Sequence, residues 1–181
     1  HENEDKLKPY VNHGCSSLGS MLPSNMLQRL KSFLAGDESA QEVELSPEDE
    51  LAAAAVAVFV EAALLDGGFG DDERQIILQL MNERFQIPEA EAAALVDSAA
   101  SDSEHANKLY SATRTIRDGF GIEERIDVME MLWQVAYADG VLHDYEANLV
   151  RRVAGLLYVQ DQDNGRARKR ALENLGLDDS E

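Results

Sequence analysis

Cysteine occurs once, at Cys15, which excludes an intramolecular disulfide and any cysteine-built zinc cluster. Histidine is nearly as sparse. His1, His13, His105 and His143 are scattered, with no HExxH motif and no pair at helical spacing. Aromatic residues make up only 6% of the chain and proline occurs four times; clusters of Val, Ile, Tyr and Thr, which strands favour, are missing as well. No apolar run is long enough to cross a bilayer, because the best, residues 51–65, is rich in alanine, carries Glu61 and falls short of the roughly 20 residues a span requires. Catalytic signatures are absent too. There is no GxSxG, and Gly67-Gly68-Phe69-Gly70 lacks the Lys-Ser/Thr ending of a phosphate loop and runs into three acids. These absences predict a protein that is not an enzyme, in a reduced, cytoplasmic setting.

Bases are also scarce. Sixteen Lys and Arg face 35 Asp and Glu, a formal charge of −19. Such a field disfavours nucleic acid and anionic lipid and favours cations or basic protein surfaces. A structural reading, in which the charge only keeps the domain soluble, stands beside it.

What is present is a helix-former's alphabet dominated by Ala and Leu, with 44% hydrophobic residues to build a core. The expected fold is all-α, a compact bundle of about seven to eight helices. Residues 1–20 carry no periodic pattern and read as a tag or disordered N-terminus. A short amphipathic helix follows within residues 21–36, using Met26, Leu27, Leu30, Phe33 and Leu34. Residues 37–45 form an acidic linker, 46–177 the helical domain and 178–181 an acidic tail. Ser46, Pro47 and Asp49 supply the cap, first position and N3 acid of a helix start. The segment 51–65 is apolar on nearly every face, the mark of a buried central helix, and 123–138 reads as a second buried helix, so Phe59 and Trp133 belong in the core. Further helices follow from the spacing of Ile76 through Phe85, from Pro88 onward, from Ser101 or Ser103 to a closing Gly119, around Leu149–Leu157, and in a basic amphipathic stretch from Arg166 to Leu175.

An internal repeat organises these elements. Asp66-Gly67-Gly68-Phe69-Gly70-Asp71-Asp72-Glu73 matches Asp139-Gly140-Val141-Leu142-His143-Asp144-Tyr145-Glu146 as D-G-x-Φ-x-D-x-E, where Φ is apolar, and the flanks match at Val60 with Trp133, Ala63 with Ala136 and Leu80 with Val153. Two helix–loop–helix hairpins are expected. Gly67 and Gly140 suit a left-handed helix stop, Phe69 and Leu142 dip back into the core, and Glu73 and Glu146 occupy the N3 place of a capping box.

The string Met129-Glu130-Met131-Leu132-Trp133-Gln134-Val135-Ala136-Tyr137-Ala138-Asp139-Gly140, with Tyr145-Glu146 and Leu149-Val150-Arg151-Arg152-Val153-Ala154, resembles the tellurite-resistance TerB family. The resemblance extends over roughly residues 26–175, with a looser match at Leu64-Leu65-Asp66-Gly67. Gly70, Gly121 and His143 stand where family members usually cap a helix with Asp or Ser. The resemblance implies a compact helical domain with an acidic surface, a stress-associated role without catalysis, and a place in or peripheral to a membrane complex. The expected function is therefore a non-catalytic adaptor for a protein partner with a basic surface. Two alternatives are a dedicated metal-binding stress protein and a co-chaperone-type module acting in trans.

Asp66 and Asp139 close helices, where the macrodipole disfavours a carboxylate. Either each accepts a loop N–H two residues on, as an Asx-turn, or each helps to hold a hard cation. In the second case Asp66 with Asp71 or Asp72, and Asp139 with Asp144, would bind calcium or magnesium weakly, because few carboxylates are supplied and water must complete the shell. Arg166, Arg168, Lys169 and Arg170 form a basic cluster for which pairing with the domain's own acids, or a solvated face, is expected.

Overall fold

The computed structural model describes residues 46–64, 70–101 and 105–177, the side chains of 105–107 excepted. The short helix expected within 21–36, the acidic linker, the tail and the first D-G loop with Asp66 and Gly67 lie outside these residues. Among the described residues there are seven helices and no strand: α1 Pro47–Leu64, α2 Asp71–Phe85, α3 Glu89–Ala100, α4 His105–Gly119, α5 Ile122–Ala136, α6 Asp144–Leu156 and α7 Asp161–Leu175.

α1 begins as its sequence dictates. The Asp49 amide donates to Ser46 Oγ at 3.2 Å, and Glu48, Asp49 and Glu50 fill the first turn, where the dipole favours them. Residues 52–60 are buried without interruption, so no face of α1 meets solvent through its middle. Alanine makes this possible, since small side chains let neighbouring helices approach on several sides. α1 packs against α2, α3, α4, α5 and α6 and is the axis of the fold. α5 is its counterpart. Residues 128–137 are all buried, and α7 lies along it.

The repeat extends further than two hairpins. Asp71 and Asp144 open α2 and α6, 73 residues apart like the D-G loops themselves. Each of these helices then ends on a non-glycine residue in the left-handed region, Gln86 (φ 56°) and Tyr158 (φ 54°). The next residues, Ile87 and Val159, are buried, and their amides reach back to Met81 O at 3.2 Å and Ala154 O at 3.0 Å. This apolar residue beyond a left-handed stop is a recurrent helix ending. A third helix follows in both halves, and the buried Leu95 and Ala99 of α3 correspond to the buried Ala167 and Ala171 of α7. The described residues thus form two three-helix units, α1–α3 and α5–α7, joined by α4.

Two expected boundaries are corrected. α4 does not stop at a left-handed Gly119. It includes that residue, whose φ is not positive. α7 starts at Asp161, five residues before the expected Arg166, because Gln160 takes the cap and Asp161 and Asp163 fill the first turn. Of the N3 glutamates, Glu146 makes the bond its spacing implied. Glu146 Oε2 accepts from the His143 amide at 2.8 Å. At the other two starts the carboxylate folds over the glycine that stands in the cap position: a Cβ on Gly121 would lie 2.8 Å from Glu124 Oε2, and one on Gly70 would overlap Glu73 Oε2. The glycines leave room for these carboxylates.

Candidate functional site

The second D-G loop is fully described. α5 ends at Tyr137, and Gly140, at φ +85°, turns the chain with its amide on Tyr137 O at 2.9 Å. The Val141 amide donates to Asp139 Oδ1 at 2.9 Å, the contact of an Asx-turn. Asp139 Oδ2 lies 3.4 Å from His143 Nε2. Asp144 sits one residue further, exposed in the first turn of α6, and Asp71 and Asp72 occupy the same place in α2. The structure therefore brings Asp139 together with His143, and among the described residues no group of three His, Cys, Asp or Glu side chains is placed to hold a metal ion.

Polar side chains converge elsewhere, at a place the sequence reading passed over. Glu130 lies in the middle of the buried face of α5 with its side chain only 6% exposed. Its Oε2 accepts from Arg170 Nε at 2.6 Å. Its Oε1 accepts from Asn174 Nδ2 at 3.0 Å and from an Arg84 terminal N–H at 3.3 Å. One buried carboxylate thus ties α2, α5 and α7 together, and its lone pairs are supplied with charged or amide donors, which burial of a carboxylate requires. A charged residue between Met129 and Met131 in an otherwise apolar run was the available signal. The basic cluster on α7 resolves accordingly. Arg170 serves Glu130, Arg166 pairs with Asp163, and Arg168 lies over the rings of Trp133 and Tyr137 while donating to Tyr137 Oη at 2.9 Å.

Beside this network a groove enclosing about 500 Å³ opens between the start of α1, the end of α2 and α5. It is lined by Leu51, Glu83, Arg84, Phe85, Glu124, Asp127 and Met131. Asp127 has no hydrogen bond or ion pair of its own among the described residues. Burial raises its carboxyl above the ordinary range; Arg84 acts in the opposite direction and Glu130 adds to the rise. The folded state therefore holds this proton more tightly than the unfolded chain. Its contribution favours folding below the unfolded carboxyl's range, near about pH 4, and is lost as pH rises through the raised folded value. Asp127→Asn should melt above the parent at neutral pH, and the gap should close as pH falls towards 4. Thermal melts of both proteins across that range check it; a variant melting below the parent at pH 7 would contradict the assignment.

Two repeated three-helix units around the buried central helices α1 and α5, closed by turn chemistry and a buried ion cluster, define an all-α domain. Residues 52–169 match the family model described as Tellurite resistance protein TerB. That match covers well over half of the chain, which belongs to the TerB family. No curated protein and no solved structure matches it. Among the described residues no helix is long and apolar enough to cross a membrane.

Proposed function

We propose that this tellurite-resistance-type domain is a non-catalytic adaptor that engages a basic protein partner through its acidic surface, with a weakly held divalent cation tuning the contact. The observation that carries this reading is where the acids lie. Six of the seven described helices have Asp or Glu in the first turn, and these residues are mostly exposed. The same carboxylates that complement helix dipoles thus project a field from a chain at −19, which speeds encounter with a cationic surface. The test is titration calorimetry with a Lys/Arg-rich helical peptide and its Asp/Glu counterpart at low and high salt. Binding of the basic peptide alone, weakening with salt, is the expected result; preference for the acidic peptide would overturn the reading.

The cation part concerns Asp139 with Asp144, and Asp66 with Asp71 or Asp72. With Asp139 Oδ1 already accepting an amide, water would fill most of the shell, and calcium or magnesium would bind weakly. Calcium should raise the melting temperature beyond what monovalent salt does at matched ionic strength, and Asp139→Asn should remove that increment. The asparagine oxygen can still accept the Val141 amide, so the variant keeps its turn. An increment that survives the substitution leaves Asp139 as a turn residue only.

A further inference from the structure

We infer that the groove between α1, α2 and α5 receives an arginine or lysine side chain of the partner, flanked on the partner by leucine-like residues. This rests on the acidic-adaptor reading and gives it a place. The floor is apolar. Met131 is 3% exposed, and Leu51 and Phe85 are partly buried and pack against the core, so an aliphatic stem can lie along them. The rim is acidic, with Glu83, Glu124 and Asp127 against the single base Arg84.

These groups are not equivalent. Glu83 Oε1 already accepts from Gln79 Nε2 at 2.8 Å, and Glu124 is folded over Gly121. The charge of Arg84 is directed at Glu130. Asp127 is committed to no hydrogen bond or ion pair among the described residues, and it does not fold back over its own helix start as Glu124 does. It is exposed and borders an apolar floor, so a cationic head can reach it while its stem lies on that floor. A long cationic side chain fits such a place, because its stem covers apolar surface while its head meets the carboxylate. An acidic occupant would meet three carboxylates and one engaged arginine. The complementarity therefore selects a base.

The test uses the full chain and two short blocked peptides, one carrying Leu-Arg-Leu and the other Leu-Glu-Leu, followed by methyl and amide NMR. The arginine peptide should shift the Met131 methyl and the amides of Phe85 and Asp127. Asp127→Asn should weaken it by about fivefold or more, whereas Glu173→Gln, which removes the same charge from an exposed position outside the groove, should leave it unchanged. Because Asp127→Asn is expected to be at least as stable as the parent at neutral pH, lost binding would not reflect lost fold. Arginine-peptide binding that is indifferent to Asp127, or that shifts other residues, overturns the groove while leaving a basic partner intact. Preference for the glutamate peptide overturns both. Concentration-dependent Met131 shifts without peptide would identify a second copy as the occupant and also overturn the inference.

Discussion

Replacing Trp133 with alanine should lower stability by about 3–5 kcal/mol, the usual cost of truncating a large buried aromatic. Trp133 is 6% exposed and sits where α5 meets α7. Its Nε1–H donates to Asn164 Oδ1 at 2.9 Å, its ring stacks on Tyr137 at 5.9 Å, and the Arg168 guanidinium covers both rings. Truncation would remove the apolar area, strip Asn164 of its donor and leave Arg168 without half of its aromatic platform. Against a total stability of about 5–15 kcal/mol for a domain, that loss should move the urea midpoint strongly. Trp133→Phe separates the contributions, since most of the area remains and only the indole N–H is lost, at about 1 kcal/mol. As the chain's single tryptophan, Trp133 also reports on itself: its emission should be blue-shifted and resist iodide quenching. An alanine variant within about 1 kcal/mol of the parent would show that α7 does not seal this part of the core.

The architecture was legible because it rests on signals that act locally. The continuous apolar stretch of α1 and the dense apolar residues of α5 announced buried axes, and Ser46-Pro47 and the spacing of Glu146 behind His143 announced helix starts. The D-G loop announced a left-handed stop that Gly140 fulfils. Where reading failed, a tertiary contact had replaced a local rule. Gln86 and Tyr158 carry no glycine-like signature, yet both adopt positive φ, because burying Ile87 and Val159 compensates a cost that a glycine would have avoided. The equivalence of α3 and α7 was hidden because their sequences share buried apolar residues at two matching positions and little else. The Asx-turn alternative at Asp139 was readable from two adjacent residues. The groove was not, because Leu51, Phe85 and Asp127 are brought together from three helices far apart in sequence.

Glu130 is the clearest case of a residue whose meaning is tertiary, and its neighbourhood should answer substitution asymmetrically. Arg170→Ala removes the shortest contact, 2.6 Å, from a carboxylate that cannot return to water. Breaking a buried pair from one side costs about 3–5 kcal/mol. Here the expected loss is about 2–3 kcal/mol, because Arg84 and Asn174 remain on the other oxygen. Glu130→Gln should cost less, about 1–2 kcal/mol, since the side chains of Arg170 and Arg84 are 46% and 40% exposed and their heads can turn to solvent. Removing both charges by Glu130→Met with Arg170→Leu should be milder than Arg170→Ala alone, because no buried charge is then left without its main partner and apolar volume replaces it. Chemical denaturation of these variants, of the singles Glu130→Met and Arg170→Leu, and of the parent completes the comparison. A double variant as damaged as the sum of its singles would mean that the carboxylate and Arg170 are not coupled. Coupling of the expected sign would establish Glu130 as the clasp that holds α2 and α7 to α5 and keeps Arg84, one wall of the groove, in place.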